Sequence, residues 1–230
     1  ARHRKRKNFV ACLVDGEQIL TSHEEKAACV DQFYTMLLGN STDRERAIEL
    51  EALGMPNFDL TVLEAPISEQ EVWDAIKCLP SDKAPGPDGF TGRFYKACWT
   101  IIKNDIMAAI SAVWGRKFNN FGRLNTAYIT LIPKKDGVDN IKDFRPISLV
   151  HSFAKLVTKI LANRLASHLQ KLVAANQSAF ISGRSIHDNY MMVQHFIKSL
   201  HGKKVASLFL KLDITKAFDS VSWAFLLEVL

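Results

Sequence analysis

The fold prediction starts from the stretch Leu208–Asp213, which reads Leu-Phe-Leu-Lys-Leu-Asp and continues to Asp219 as Ile-Thr-Lys-Ala-Phe-Asp. An apolar run interrupted only by Lys211 predicts a mostly buried strand, with the Asp213 carboxylate at its end. A rigid strand end can hold a hard cation such as Mg²⁺ through carboxylate oxygens. Phe218 returns to the same place if the chain turns after the strand. On these residues alone, the simpler interpretation is a buried strand that ends in an aspartate, with Phe218 in the core.

The composition predicts an intracellular protein with one large domain or two small ones. The chain has 230 residues, of which 47% are hydrophobic, and this is enough for a sizeable core. It contains no apolar run of about eighteen residues, so we expect no membrane-spanning segment and no membrane partner. The four cysteines are scattered without a Cys-x-x-Cys pair, which favours reduced thiols. These features fit the nucleus and the cytoplasm equally well.

The charge is distributed unevenly along the chain. The formal net charge of +6 combines +5 in residues 1–14, −11 in residues 15–75 and +12 in residues 76–230. A basic body behind an acidic segment favours a polyanionic partner, nucleic acid before membrane. The alternative is that the lysines and arginines only keep the outer faces of helices solvated.

The N-terminal third predicts a basic arm, a small hairpin and a helix. Strand residues Phe9–Val14 are followed by a turn at Asp15-Gly16 and a return strand at Gln18–Leu20. Ser22 and Glu25 have the spacing of a capping box and begin a helix. A second capping box, Ser68 to Glu71, begins a helix that Pro80 ends.

The region from Ser81 to Trp114 predicts a loop and two helices. The loop Ser81–Phe90 is rich in Gly, Pro and Asp, and we interpret it as a structural turn because no Gly-Lys-Ser/Thr follows it. Helical spacing of apolar residues then predicts one helix over Thr91–Thr100 and another over Ile101–Trp114.

A second hairpin carries basic residues at one end. Residues 126–132 and 144–150 predict two partner strands, with Lys134 and Lys135 at the tip and Arg145 where the return strand begins. This arrangement can hold a triphosphate, because Arg supplies a planar fork and Lys a mobile point charge. A solvated hairpin tip with ordinary charges explains the pattern equally well.

The longest predicted helix runs from Ser152 to about Val173, with Lys155, Lys159 and Arg164 off its apolar stripe. Such a helix can lie along a nucleic-acid backbone, although a solvated face is the commoner case. A polar loop follows it, with one aromatic and one arginine, and a helix over residues 186–200 then leads to the strand that ends at Asp213.

Six segments, taken in order, resemble the reverse transcriptase of LINE-type (non-LTR) retrotransposons, and they are most similar in type to those of plant elements. The resemblance covers about residues 66–230, and residues 1–65 are similar to the family's connector. The six segments are Ala84–Phe90, Thr130–Lys135, Asp143–Leu149, the helix with Lys155, Lys159 and Asn163-Arg164-Leu165, the loop Gln177–Phe180 with Gly183-Arg184, and Lys211–Asp213 with Lys216–Asp219.

The resemblance implies roles for individual residues. Asp213 matches the first catalytic, metal-binding aspartate of the palm, which holds two Mg²⁺ together with two later aspartates. The carbonyl of Ile214 matches a further metal ligand, and Phe218 the aromatic gate that favours deoxynucleotides. Lys134 and Arg145 match residues that contact the incoming triphosphate. The expected contacts to template or nucleic acid are Lys155, Lys159, Arg164, Gln177, Phe180 and Arg184.

The chain also departs from the family pattern. Neither a Gln-Gly-Asp-Pro-like motif nor an aromatic-Ala-Asp-Asp motif occurs in the sequence. One carboxylate cannot hold two metal ions, so we expect a fragment of an RNA-directed DNA polymerase that does not polymerise DNA alone. The family consists of nucleotidyltransferases, but the sequence by itself does not class this chain as an enzyme. The alternatives are a non-catalytic nucleic-acid-binding protein or a non-functional retroelement remnant. The implied partners are an RNA template, a DNA primer and deoxynucleoside triphosphates, with an endonuclease and the rest of the palm and thumb in a full-length protein.

The predicted fold class is α+β. We expect a basic arm and connector at residues 1–65, a helix-rich fingers region with a β-hairpin at 66–200, and the first strand of an incomplete palm at 201–230.

Overall fold

The computed structural model describes residues 9–38, 49, 52, 54, 58–117, 119–204, 206–213 and 221–229. The predicted basic arm before residue 9, the metal-ligand prediction for Ile214 and the gate prediction for Phe218 lie outside these residues. The chain forms two compact units. Unit one takes its described residues from within 1–57, 129–147 and 210–230, and unit two from 58–128 and 148–209.

Unit one begins with the predicted hairpin. Strand β1, Leu13–Asp15, pairs antiparallel with β2, Gln18–Leu20. The two-residue turn between them fits Gly16 at φ 60°, because glycine adopts the left-handed region without strain. The first strand starts at Leu13 rather than at Phe9, but the hairpin itself is confirmed.

Helix α1, His23–Leu38, starts at the predicted capping box. The Glu25 amide donates to Ser22 Oγ at 3.1 Å, and the Ser22 amide donates to Glu25 Oε2 at 3.2 Å. These two bonds satisfy backbone donors that a helix start leaves without partners.

The second predicted hairpin is also present. Strand β3, Ala127–Pro133, and strand β4, Phe144–Val150, are hydrogen-bonded neighbours in a two-stranded sheet. A short 3-10 turn, Ile141–Asp143, leads into β4. The Lys134 amide donates to the Asp143 carbonyl at 2.9 Å and closes the loop between the strands.

The core of unit two lies between three helices: α2 (Glu69–Cys78), α3 (Gly92–Trp114) and α5 (Ser152–Ala166). Their buried side chains form one cluster, made of Val72, Ala75, Ile76, Leu79, Tyr95, Trp99, Ile110, Leu156 and Ile160. The other helices in the described part of the chain are α4 (Phe121–Leu124), α6 (Leu169–Leu172), α7 (Ile186–Gly202) and α8 (Trp223–Val229). None of the helices in the described ranges is long and apolar enough to cross a membrane.

The loop Ser81–Phe90 fastens the start of α5 to this core. Asp88 Oδ2 accepts hydrogen bonds from the Ser152 amide and the Ser152 hydroxyl, both at 2.6 Å. Because the hydroxyl proton is used in this way, Tyr95, whose hydroxyl lies 3.0 Å from Ser152 Oγ, must donate to it. Burial raises the pKa of Tyr95 and keeps the phenol protonated as a donor.

Two helix predictions were wrong in their bounds. The stretches Thr91–Thr100 and Ile101–Trp114 form one helix, α3, because neither Gly nor Pro occurs between Arg93 and Trp114. The predicted helix Ser152–Val173 ends at Ala166 and resumes only for the single turn of α6. At the break, Ser167 Oγ donates to the Arg164 carbonyl at 2.7 Å, so a side chain competes with the helical backbone bond.

The prediction of a buried palm strand at Leu208–Asp213 was wrong for this structure. Residues 206–213 lie in neither a helix nor a strand, and Leu208 and Leu212 are 93% and 80% exposed. A strand forms only where its amides and carbonyls find a neighbouring strand. Within the described residues the strands pair only as β1 with β2 and β3 with β4.

Candidate functional site

A small cleft in unit one gathers three basic residues at the loop that joins β3 to β4. Lys134 follows the end of β3, Lys142 lies in the 3-10 turn and Arg145 is the second residue of β4. The cleft has a volume of about 170 Å³. Its remaining lining is apolar or aromatic: Phe33, Tyr34, Leu37, Ile141, Phe144 and Pro146.

The electrostatics of this cleft favour an anion. Lys134 Nζ donates to the Lys142 carbonyl at 2.6 Å, which fixes the ammonium group at the mouth of the loop. Arg145 is exposed, and its guanidinium makes no hydrogen bond or ion pair with any residue that the structure describes. No acidic side chain is among the lining residues. The volume is below the roughly 300 Å³ of typical small-molecule pockets, so the cleft suits a phosphate group rather than a whole nucleotide.

The sequence analysis missed Lys142 as a third cation in this group. The available signal was its position, three residues before Arg145 and inside the loop of a predicted hairpin whose ends must meet. The sequence pattern does not predict the conformation of the loop. Lys142 lies near Lys134 only because the 3-10 turn folds the loop back toward the end of β3.

The structure changes the role of Arg164. Its side chain is only 12% exposed and forms a two-pronged ion pair with Glu71, Nε to Oε1 at 2.6 Å and Nη2 to Oε2 at 3.0 Å. The remaining N–H groups donate to backbone carbonyls of the chain before α2, at Leu63, Ala65 and Pro66. All five guanidinium donors are therefore engaged, and the predicted nucleic-acid contact at this residue is corrected to a structural one.

The Arg164 network also changes the acidity of its partner. The hydrogen bond from Arg164 lowers the pKa of Glu71 to about 2, and the hydrogen bonds from Ser68 act in the same direction. The same pairing raises the pKa of Arg164. The guanidinium also lies over the Trp114 ring, 5.3 Å from the ring centroid.

Lys155 and Lys159 occupy half-buried positions on α5. Lys155 Nζ lies 3.5 Å from the Ala84 carbonyl, a long contact that leaves donors of the ammonium group available. Their predicted role in binding nucleic acid stays a prediction.

The loop that follows α6 is held by Arg184. Its guanidinium donates to the carbonyls of Gln170, Val173, Ala174 and Gln177 and to the side-chain oxygen of Gln170, at 2.6 to 3.3 Å. The predicted nucleic-acid contact of Arg184 is therefore also corrected, because every donor is used inside the loop. Gln177 is exposed, with one long side-chain contact of 3.4 Å to Ala179. Phe180 is fully exposed at 103% and has φ 65°.

Asp213 is exposed and lies outside any regular element. Within the residues that the structure describes, no group of three or more His, Cys, Asp or Glu side chains could hold a metal ion. The structure thus brings Lys134 and Arg145 to one cleft and places Gln177, Phe180 and Arg184 in one loop.

Comparisons with known proteins agree on one family. Residues 132–230 match the family model described as reverse transcriptase (RNA-dependent DNA polymerase). The chain is 31% identical over 172 residues to a 149 kDa protein of transposon TX1 from Xenopus laevis, and 30% identical over 170 residues to a Pol polyprotein of retrotransposable element R2 from Nasonia vitripennis. It is 25% identical over 215 residues to a probable RNA-directed DNA polymerase of transposon BS from Drosophila melanogaster.

The chain belongs to the non-LTR retrotransposon reverse transcriptases. The matches to the proteins of TX1, R2 and BS cover 73%, 72% and 90% of the chain. In the same order, the chain spans 13%, 15% and 23% of the length of these relatives. The chain thus corresponds to a small part of each of these longer proteins.

The divalent metal that reverse transcriptases use does not fit the described residues by themselves. Two Mg²⁺ ions need several oxygen ligands on rigid elements. Asp213 is the one predicted metal ligand within the residues that the structure describes, and it lies in neither a helix nor a strand.

Proposed function

We propose that this chain supplies the nucleotide-phosphate and template contacts of an RNA-directed DNA polymerase. The observation that carries the proposal is the cleft of Lys134, Lys142 and Arg145, which lies within or beside the part of the chain that matches the reverse transcriptase family. Positive charge in a cleft whose lining holds no acidic side chain attracts a polyphosphate, and the Arg fork can bind two phosphate oxygens at once. The aromatic residues of α1 add an apolar floor beside the phosphate position.

In this proposal the roles divide between the two units. In unit one, Lys134, Lys142 and Arg145 hold the phosphates of the incoming deoxynucleotide. In unit two, Lys155 and Lys159 contact the phosphates of the RNA template. Asp213 becomes a metal ligand only together with carboxylates beyond those described, so we expect the 230-residue chain alone to give no primer extension.

Photo-crosslinking of a photoreactive deoxynucleoside triphosphate to the 230-residue chain tests the phosphate cleft. We expect Lys134→Ala and Arg145→Ala each to lower specific labelling by about tenfold, because each removes a charge-assisted hydrogen bond. Lys135→Ala is the matched control, since Lys135 is exposed and adjacent but does not line the cleft. Equal labelling of all three variants and the wild type would remove the cleft from the proposal.

A second candidate function is nucleic-acid binding without a role in polymerisation. The observation in its favour is that residues 144–187 contain six Lys and Arg residues and no Asp or Glu. Such a stretch attracts any phosphate backbone. This candidate predicts that the wild type binds RNA but that unlabelled deoxynucleoside triphosphate does not reduce its labelling by the photoreactive one. The crosslinking experiment therefore separates the two functions.

A further inference from the structure

We propose that residues 174–185 form a base-stacking platform, in which Arg184 is a positioning residue and Phe180 presents its ring to an unpaired base of single-stranded nucleic acid. The inference rests on the proposed function, because it names where the template strand would be contacted. Three features of unit two carry it: the hydrogen bonds that hold the loop, the exposure of one aromatic ring, and the basic sequence stretch in which that ring lies.

The loop is fastened from several directions at once. The Arg184 guanidinium gathers the carbonyls of Val173, Ala174 and Gln177 at 2.6 to 2.9 Å. Gln170 Nε2 donates to the Ser182 carbonyl at 2.6 Å on the other side of the loop. From α7, Asn189 Nδ2 donates to the Asn176 carbonyl and to the nearly buried Ser178 hydroxyl, at 2.8 and 3.0 Å. A loop with this many internal bonds has a defined shape before any ligand arrives.

Phe180 is the exception within this well-bonded loop. Its neighbours Ser178 and Ile181 are buried, yet the Phe180 ring is fully exposed. Its φ of 65° lies in the left-handed region, which costs a bulky residue free energy that the surrounding bonds must offset. The loop is held by internal hydrogen bonds and exposes one aromatic ring to solvent, so another planar ring can stack on that ring.

The charge around the platform favours a nucleic acid over a protein as the occupant. Within unit two, Phe180 lies in the sequence stretch from residue 148 to 187, which carries five Lys and Arg residues and no Asp or Glu. Phosphates are attracted to such a stretch, and unpaired bases stack on aromatic side chains whatever their sequence. A paired base keeps its faces inside the duplex, so the platform selects single strands.

The test compares the binding of a short single-stranded RNA and of its duplex to the 230-residue chain. We expect Phe180→Ala to weaken single-strand binding by about fivefold or more and to leave duplex binding unchanged. Phe180→Tyr keeps the ring and should keep the affinity. Phe196→Ala is the matched control, since Phe196 is another aromatic, 65% exposed on α7. A single-strand affinity that Phe180→Ala leaves unchanged would overturn the platform.

A crosslink gives a readout that a purely structural role would not move. RNA that carries 5-iodouridine should crosslink to Phe180 on irradiation, and mass spectrometry maps the attachment site. An RNA with an abasic site at the same position should bind to the wild type and to Phe180→Ala with equal affinity. A crosslink that maps elsewhere while single-strand binding persists overturns the platform and leaves the proposed function standing. Absence of any RNA binding by the wild type counts against both.

Arg184 has its own distinguishing measurement, the dependence of single-strand affinity on salt. As a positioning residue, Arg184→Gln should weaken binding and lose the Phe180 crosslink without changing the slope of log affinity against log salt. A phosphate contact would instead lower that slope by about 0.7, and this result would overturn the positioning role.

Discussion

Gly86 shows at the scale of one residue how tightly the loop Ser81–Phe90 is packed. A Cβ atom at this position would lie 2.1 Å from the Val150 carbonyl oxygen and 2.9 Å from the His151 amide. Both neighbours are backbone atoms at the end of β4, so neither can rotate away. Only a residue without a side chain fits between the loop and this corner.

The prediction for this residue is a large loss of stability. Gly86→Ala should lower the free energy of unfolding by at least about 2 kcal/mol, because the added carbon forces backbone atoms apart. Gly122→Ala is the control, since nothing lies within 4 Å of a Cβ there. Urea denaturation followed by circular dichroism measures both variants, and equal midpoints would contradict the packing described for Gly86.

Individual residues also show where sequence analysis loses information. The helix pattern placed Arg164 off the apolar stripe, and the family resemblance implied nucleic-acid contacts for both Arg164 and Arg184. Glu71 and the Leu63–Pro66 carbonyls, which engage Arg164, lie about one hundred residues away in sequence. No local pattern reports such a partner, whereas Lys134 and Arg145 were placed at one hairpin end because two strands fix that geometry.

At the scale of elements, the ion pair between Glu71 and Arg164 joins α2 to α5. The lowered pKa of Glu71 means that its negative charge stabilises the folded chain. That contribution is fully present above 4.5, the ordinary pKa of a glutamate side chain, and is lost as the pH falls toward about 2. Acidification through this interval should therefore destabilise unit two.

Removal of the carboxylate tests this junction. Glu71→Gln should lower the free energy of unfolding at neutral pH by about 1 kcal/mol, since the partly exposed carboxylate is screened by solvent. It should also flatten the fall in stability between pH 4.5 and about 2. Glu69→Gln is the control for an exposed ion pair on the same helix. An unchanged acid unfolding profile for Glu71→Gln would show that the pair does not hold the two helices together.

The elements that sequence predicted well are those with local causes. Both capping boxes formed because donor and acceptor lie three residues apart. The hairpin at Gly16 formed because its turn needs a left-handed residue. The strand at Leu208–Asp213 did not form, because a strand depends on a neighbour that the apolar pattern does not specify.

The whole molecule is a reverse transcriptase relative with its basic residues distributed over both units. The order of six motifs allowed the family to be predicted from sequence, since order and spacing hold information that no single motif has. The two compact units and the internal use of Arg164 and Arg184 were visible only in the structure. The basic residues left for RNA on α5 are Lys155 and Lys159.

Salt-dependent binding of single-stranded RNA to the 230-residue chain tests the central claim, that this chain contacts the template of an RNA-directed polymerase. We predict a linear fall of log affinity with log salt, and a slope smaller by about 1.4 in Lys155→Gln/Lys159→Gln, since each phosphate contact on a single strand contributes about 0.7. Lys83→Gln/Lys117→Gln is the control, because it removes the same charge from exposed positions outside the acid-free stretch. Absence of binding at low salt, or equal slopes for both double variants, would contradict the account.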